Sequence, residues 1–315
     1  MFSASALQGA ARRVLHRETT VACACGAGTL ADRADGTVVR HGGVVAKAHA
    51  AGTDAQELAV RLAVAAHPAL DGVLLPPLRP EAASTHGRLV TFWPYGTPVD
   101  PDRPEDAPWE AAAGLLARLH ATPVHRLPDA LPPMRGPVKA ARAVARLEAT
   151  APDHPAAGPV RRAWRTLPPW ARAETPYAHA RALCHGDLHL GQLVRGPAGP
   201  RPWLLIDVDD LGFGDPAWDL ARPAAWFACG LLPAGDWARF LTAYRSAGGA
   251  PRLTAPDPWP ALDVPARALT VQTAARAVAK AVEAGRPLDE VEVAVVDACD
   301  RMVAIPTQLG GDTAK

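Results

Sequence analysis

The sequence lacks any long apolar run. None approaches the roughly 20 residues that a membrane-spanning helix requires, so no membrane partner is expected. It also lacks a charge imbalance: a formal net charge of +1 argues against nucleic acid or another polyanion as a partner. Cysteine is sparse, with five in the chain, and their spacing makes no disulfide framework. Cys23-Ala24-Cys25 has no second metal-ligand pair beside it in sequence, so zinc is not expected there. Met1 to His16 lacks the apolar core of a signal peptide and reads as a short helix. Together these absences point to a reducing, cytoplasmic setting.

What is present is room for a core. A chain of 315 residues accommodates one large two-lobed domain or two modest ones, and 49% hydrophobic residues can fill it. The 33 prolines imply short elements joined by rigid connections.

Three early strands are expected, at Thr19–Cys25, Gly36–Arg40 and Gly43–Ala48, each rich in β-branched or small apolar residues between turn signals. Gly26-Ala27-Gly28 lies between the first two and could let backbone amides approach a phosphate, although such glycines are commonplace in hairpin turns. Val44-Val45-Ala46-Lys47 ends an apolar strand in a lysine, as does the strand that carries the phosphate-binding lysine of kinases. A helix follows, with Thr53 and Gln56 as a capping box and Leu58, Leu62 and Ala65 at helical spacing. Glu57 in its first turn is the natural partner for Lys47, with Asp54 as the alternative. The bland reading of Glu57 is an acid favoured by the helix dipole.

Val73-Leu74-Leu75 and Arg88–Phe92 supply two further strands. Trp93-Pro94-Tyr95-Gly96 then breaks the pattern, and a Pro/Asp-rich stretch runs to Pro108. A strand ending in such a linker is where a hinge would bond adenine through its backbone, which makes Phe92, Trp93 and Tyr95 nucleotide-binding candidates. Residues 1–94 are therefore expected as a small, antiparallel β-sheet lobe with one main helix. Residues 95–315 are expected as a larger, mostly helical lobe, with helices at Trp109–His120, 138–149, Val160–Trp170, Pro265–Ala284 and Leu288–Val303. The fold class is α+β.

The reactive groups lie mid-chain. Leu183-Cys184-His185-Gly186-Asp187-Leu188-His189-Leu190-Gly191-Gln192 places Asp187 in a short loop, with a side-chain amide five positions later. Leu204-Leu205-Ile206-Asp207 is an apolar, strand-like run that ends at an aspartate. Phosphoryl transfer needs a carboxylate to take or orient the acceptor's hydroxyl proton, and oxygen ligands for Mg²⁺ beside the nucleotide phosphates. The Asp-x4-amide spacing and the later aspartate match the catalytic loop and metal-binding aspartate of protein kinases. Asp187 is thus the catalytic candidate, and Gln192 and Asp207 are the candidate metal ligands. His185 and His189 flank Asp187 and could suggest a metal cluster, but ligation is not expected of them. Asp209 and Asp210 have no motif position and are expected to meet solvent or substrate.

These strips resemble the aminoglycoside phosphotransferase family, relatives of choline kinase with the protein-kinase-like bilobal fold. The resemblance rests on Cys184–Gln192, Leu205-Ile206-Asp207, Gly214-Asp215-Pro216-Ala217-Trp218-Asp219-Leu220 and Leu119-His120-Ala121-Thr122-Pro123, in the family's order and spacing. It implies ATP or GTP as donor, Mg²⁺ held by Gln192 and Asp207, Lys47 on the phosphates, and Asp187 as base or orienting group for an acceptor hydroxyl. Asp215 and Asp219 would order the catalytic loop. Gln192 departs from the family's usual asparagine and resembles the Leu-Gly-Gln ending of maltokinases.

The acceptor is less legible. Asp289, Glu290, Asp297 and Asp300 could floor a cationic pocket, although a solvated helix face is the simpler reading. Lys139, Arg142 and Arg146 make the 138–149 helix basic, which suits a neutral or acidic acceptor. An antibiotic acceptor, aminoglycoside or nucleoside- or sugar-containing, is the first expectation. A metabolic sugar or amino-alcohol kinase is the second, and a non-catalytic pseudokinase the third.

Overall fold

The computed structural model describes residues 3–16, 23–33, 36–128, 130–176, 181–196 and 202–305. The chain divides into two compact units, each assembled from separated stretches. One takes Met1–Pro108, Thr122–Pro132 and Leu190–Asp209; the other takes the remainder.

The first unit is built on a five-stranded antiparallel sheet. In chain order its elements are α1 (Ala4–His16), β1 (Ala27–Arg33), β2 (Gly36–His41), β3 (Val44–His49), α2 (Ala55–Ala65), β4 (Ala83–Thr85) and β5 (Arg88–Pro94). The sheet order is β1-β2-β3-β5-β4. Strand periodicity sorts β3 cleanly. Val44, Ala46 and Ala48 join Val39, Val90 and Phe92 in a core that also takes Leu7, Ala10 and Ala11 of α1. Val45, Lys47 and His49 alternate with them and point to the other face.

Two elements differ from expectation here. The first strand among the described residues runs from Ala27 to Arg33; of the expected strand Thr19–Cys25, Cys23 to Cys25 are not in a strand and Thr19 to Ala22 lie outside the described residues. Ala27 and Gly28 pair with His41 and Arg40 inside the ladder, so they are not the turn of a hairpin. Helix α2 is capped by Asp54, whose carboxylate accepts from the Gln56 and Glu57 amides, and not by a Thr53 capping box. Asp54 is thereby spent as a cap. Val73-Leu74-Leu75 does not form a strand of this sheet; it bridges Leu205 in parallel, with Leu75 N–H donating to the Leu205 carbonyl at 2.9 Å. Leu205 lies in the strand Trp203–Leu205, which pairs with Leu193–Arg195. This pairing brings the chain just before Asp207 beside Gln192: the Ile206 amide donates to the Gln192 carbonyl at 2.9 Å.

The second unit is mostly helical. Its helices are α3 (Trp109–Ala121), α4 (Gly136–Thr150), α5 (Ala157–Thr166), α6 (Ala217–Ala228), α7 (Ala234–Ser246), α8 (Pro251–Thr254), α9 (Trp259–Glu283) and α10 (Glu290–Val303). The core gathers Leu147, Val160, Val271, Ala275 and Cys299 from α4, α5, α9 and α10, with Trp218 of α6. Helix α9 begins at Trp259, a turn and a half earlier than the sequence suggests, and carries Pro265 within it. A short ladder pairs Ala182–Cys184 with Gly212–Gly214 and presents the following residues, His185 to Asp187. The α+β class stands: an antiparallel sheet in the N-terminal part and helices through most of the remainder. No helix among the described residues is long and apolar enough to cross a membrane.

Candidate active site

On the open face of the sheet, Lys47 and His49 project from alternate positions of β3 toward the segment after Trp203–Leu205. Lys47 Nζ donates to Asp207 Oδ1 at 2.6 Å and lies 3.0 Å from Asp209 Oδ2. His49 Nδ1 meets Asp209 at 3.2–3.3 Å, its Nε2 meets Thr91 Oγ1 at 2.9 Å, and Trp93 Nε1 donates to that same hydroxyl at 2.9 Å. The donors and acceptors are consistent with one tautomer: Nδ1–H donates to Asp209 and Nε2 accepts from Thr91, whose oxygen accepts from Trp93.

Burial opposes the charge on Lys47, but Asp207 and Asp209 outweigh it and hold the amine above the ordinary lysine range. Burial likewise pushes Asp209 up, and Lys47 with His49 pulls it well below the usual carboxylate range. Asp207 takes a left-handed backbone, φ 64°, uncommon for a residue with a side chain. Such conformations concentrate where a side chain must be aimed. Gln192 is buried, and its amide nitrogen lies 3.4 Å from Asp207 Oδ2.

The pairing expected between Lys47 and Glu57 is absent. Glu57 accepts from Arg61 at 2.9 Å, one helical turn along α2, and the lysine goes to the two aspartates instead. The hinge candidates also separate. Trp93 shares the face of Lys47 through Thr91. Phe92 does not: its ring packs in the α1 core on the opposite face, and its carbonyl already accepts from the Leu78 amide at 2.8 Å. Tyr95 spends its amide on the Gly43 carbonyl at 2.8 Å, and its ring lies 3.5 Å beneath the Arg40 guanidinium.

In the helical unit, Asp187 sits between two cations. Lys139 Nζ donates to its Oδ2 at 2.6 Å and Arg222 to its Oδ1 at 2.6 Å. Arg222 also donates to the Leu188 carbonyl at 3.1 Å, and Lys139 reaches Asp210 at 2.6 Å. Burial would raise Asp187, yet Lys139 and Arg222 hold it well below the ordinary carboxylate range. Lys139 is itself held above the lysine range, because Asp210 and Asp187 overcome its burial.

The loop bearing Asp187 is fixed from behind. Asp219, fully buried on α6, accepts from the His185 amide at 2.6 Å and the Gly186 amide at 2.7 Å. His120 Nε2 lies 2.9 Å from Asp219, its Nδ1 lies 2.8 Å from the Tyr244 hydroxyl, and the Ala250 amide donates to that hydroxyl at 3.0 Å. One relay satisfies every member: Ala250 N–H to Tyr244, Tyr244 O–H to His120, His120 N–H to the carboxylate. Gly186 has φ 83°, and a Cβ there would stand 2.3 Å from the Asp210 carbonyl oxygen. Asp215 accepts from the Ala217 amide at the start of α6.

Several of these residues escaped the sequence. Lys139 was legible only as part of a basic helix, and Arg222, His49 and Tyr244 carried no motif. Asp209 and Asp210, expected to face solvent or substrate, are instead committed to Lys47 with His49 and to Lys139. On α10, Asp289 is the cap, Glu292 completes the capping box and pairs with Arg286 at 2.7 Å, and Asp300 pairs with Arg162 at 2.7 Å, so three of the five acids of the helix and its cap have structural work.

A sheet that presents a lysine to a strained aspartate and its neighbouring amide, with a helical unit that fixes a His-Gly-Asp loop from behind, defines a small-molecule kinase. The sequence profile described as the Phosphotransferase enzyme family matches residues 32–264, most of the chain, and the chain belongs to that family. No curated protein matches the sequence. Among solved structures, a choline/ethanolamine kinase family protein from Mesorhizobium loti is 16% identical, with 94% of this chain and 93% of that one covered and a TM-score of 0.57. A thermostable mutant of the aminoglycoside phosphotransferase APH(4)-Ia, in ternary complex with AMP-PNP and hygromycin B, is 14% identical over 99% and 100% of the two chains, with a TM-score of 0.60. The spectinomycin phosphotransferase APH(9)-Ia, with ADP and spectinomycin, is 12% identical over 90% and 93%, TM-score 0.56. At these identities the likeness is one of fold.

Proposed function

We propose that this enzyme transfers the γ-phosphate of ATP or GTP to a hydroxyl of a small-molecule antibiotic, an aminoglycoside or a nucleoside- or sugar-containing compound, in resistance or self-protection. The observation that carries the phosphoryl-transfer chemistry is the Lys47–Asp207 contact of 2.6 Å beside Gln192. A divalent cation suits this donor set. Asp207 offers carboxylate oxygens and Gln192 an amide oxygen on the same side chain whose nitrogen lies 3.4 Å from Asp207 Oδ2. Asp207 and Gln192 would hold Mg²⁺, which when bound neutralises phosphate charge. Lys47, paired with both aspartates here, would turn its amine to the nucleotide phosphates. Trp93, on the same face, would border the base.

Asp187 would orient the acceptor hydroxyl. Its pKa, held low by Lys139 and Arg222, makes it a weak base, which suits a loose transition state in which the hydroxyl proton leaves late. Positioning and charge neutralisation then supply most of the acceleration. Both nucleotide and acceptor are cytoplasmic small molecules under this reading.

The choice of antibiotic draws on the hygromycin B and spectinomycin complexes of the two phosphotransferases. A metabolic kinase acting on an amino alcohol or sugar is the second reading, favoured by the choline/ethanolamine kinase likeness and by Gln192 in place of asparagine. Nucleotide consumption, measured with ATP and GTP against aminoglycosides, nucleoside antibiotics, choline, ethanolamine and sugars, separates them. Turnover on antibiotics supports the first reading; turnover confined to choline, ethanolamine or sugars replaces it with the second.

A further inference from the structure

The sheet unit carries a second constellation that phosphoryl transfer does not use. His16 ends α1, Cys23 and Cys25 lead into β1, and His41 ends β2. The fold brings all four together: one potential ligand atom from each lies within 4.8 Å of the others. Cys23 Sγ is 3.2 Å from His41 Nε2, and Cys25 Sγ is 3.5 Å from His16 Nε2. The two imidazoles meet edge to face, with centroids 5.6 Å apart.

These separations have the scale of a coordination shell. With Zn–S near 2.3 Å and Zn–N near 2.05 Å, the S···N edge of a tetrahedron is about 3.6 Å. Thiolates and imidazoles in a four-ligand set select zinc over hard cations. The backbone supports the convergence. The Gly42 amide donates to the Gly26 carbonyl at 2.8 Å, closing the open end of the β1–β2 hairpin beside the cysteines. Gly42 has φ 56°, and a Cβ there would stand 2.7 Å from Leu15 and 3.6 Å from Cys25, so the helix end lies directly against this turn. The cysteine pair expected to lack partners thus gains two histidines, one from 7 residues before Cys23 and one from 16 residues after Cys25.

We propose that His16, Cys23, Cys25 and His41 form a structural zinc site. With four protein ligands the site is closed and leaves no position for substrate. Its work is to tie the end of α1 to the sheet edge, where β1 is mostly exposed and, among the described residues, pairs with β2 alone.

The test uses the full, untagged chain. After extensive dialysis against metal-free buffer, elemental analysis should find about one zinc per chain, and Cys23→Ser with Cys25→Ser should abolish it. Asp207→Asn should keep it, which separates this site from the nucleotide's cation. Cobalt added to chelator-stripped wild-type protein should give the visible spectrum of a tetrahedral thiolate complex. Zinc should protect two thiols from titration that react once it is removed. The wild-type measurements stand even where the double variant does not fold. Absence of retained zinc together with no thiolate–cobalt spectrum overturns the proposal. So does zinc retained by the double serine variant but lost from Asp207→Asn, or an oxidised Cys23–Cys25 pair in place of protected thiols.

Discussion

Lys47 Nζ stands 2.6 Å from Asp207 Oδ1 and 3.0 Å from Asp209, and Glu57 on the following helix takes no part. The lysine therefore has two duties, neutralising a half-buried pair of carboxylates and, in the proposed reaction, meeting phosphate. Lys47→Met should raise the KM for nucleotide and lower kcat by about 10²-fold or more, the scale of removing one preorganised charge from a transition state. Steady-state kinetics with varied nucleotide reads both. Glu57→Gln, by contrast, should leave kcat within about twofold, because Glu57 is engaged with the buried Arg61 one turn along α2 and not with Lys47.

The relay behind the Asp187 loop makes a separate prediction. Tyr244→Phe removes the hydroxyl that links Ala250 to His120, leaving two polar groups without their partner in a buried setting. A loss of about 1–3 kcal/mol in unfolding free energy is expected, read by chemical denaturation. The KM for nucleotide should stay near that of the wild type, since the hydroxyl of Tyr244 serves His120 and Ala250.

Asp187 also sets a pH dependence. Burial raises its pKa, and Lys139 and Arg222 more than reverse that, so the folded value lies below the unfolded value of about 3.9. A depressed carboxylate contributes stability that is fully present above the unfolded pKa and is lost as pH falls through the folded one. Lys139→Met removes one of the two cations. Denaturation curves collected between pH 2 and 6 should therefore show a smaller drop in stability on acidification for the variant than for the wild type. An identical acid dependence in the two proteins would contradict the assigned ion pair.

Much of this chemistry was legible in the chain because it is local. The Asp187 loop and the run to Asp207 are fixed spacings within single turns and strands, and the profile of the Phosphotransferase enzyme family covers both. Helices with apolar stripes, such as α3 and α4, fell where their periodicity put them. What failed depended on distance. The partner of Lys47 lies 160 positions away, and no spacing rule ranks Asp207 above the nearer Glu57. Tyr244 and His120 are 124 apart, and neither needs a local pattern to meet. The strand Ala27–Arg33 was missed because its residues carry little propensity, and its register came from pairing with β2. The four Cys and His ligands could not be joined in sequence for the same reason: a helix end, a strand lead-in and a strand end supply them.

The central claim is that Asp187 aligns an acceptor hydroxyl for phosphoryl transfer. Asp187→Asn keeps the side chain's size and leaves Asp219 to hold the loop through the His185 and Gly186 amides. Turnover of nucleotide with the best acceptor from the panel should fall by about 10²–10⁴-fold, with the thermal transition still cooperative and nucleotide still bound. Near-normal turnover in that variant would contradict the account.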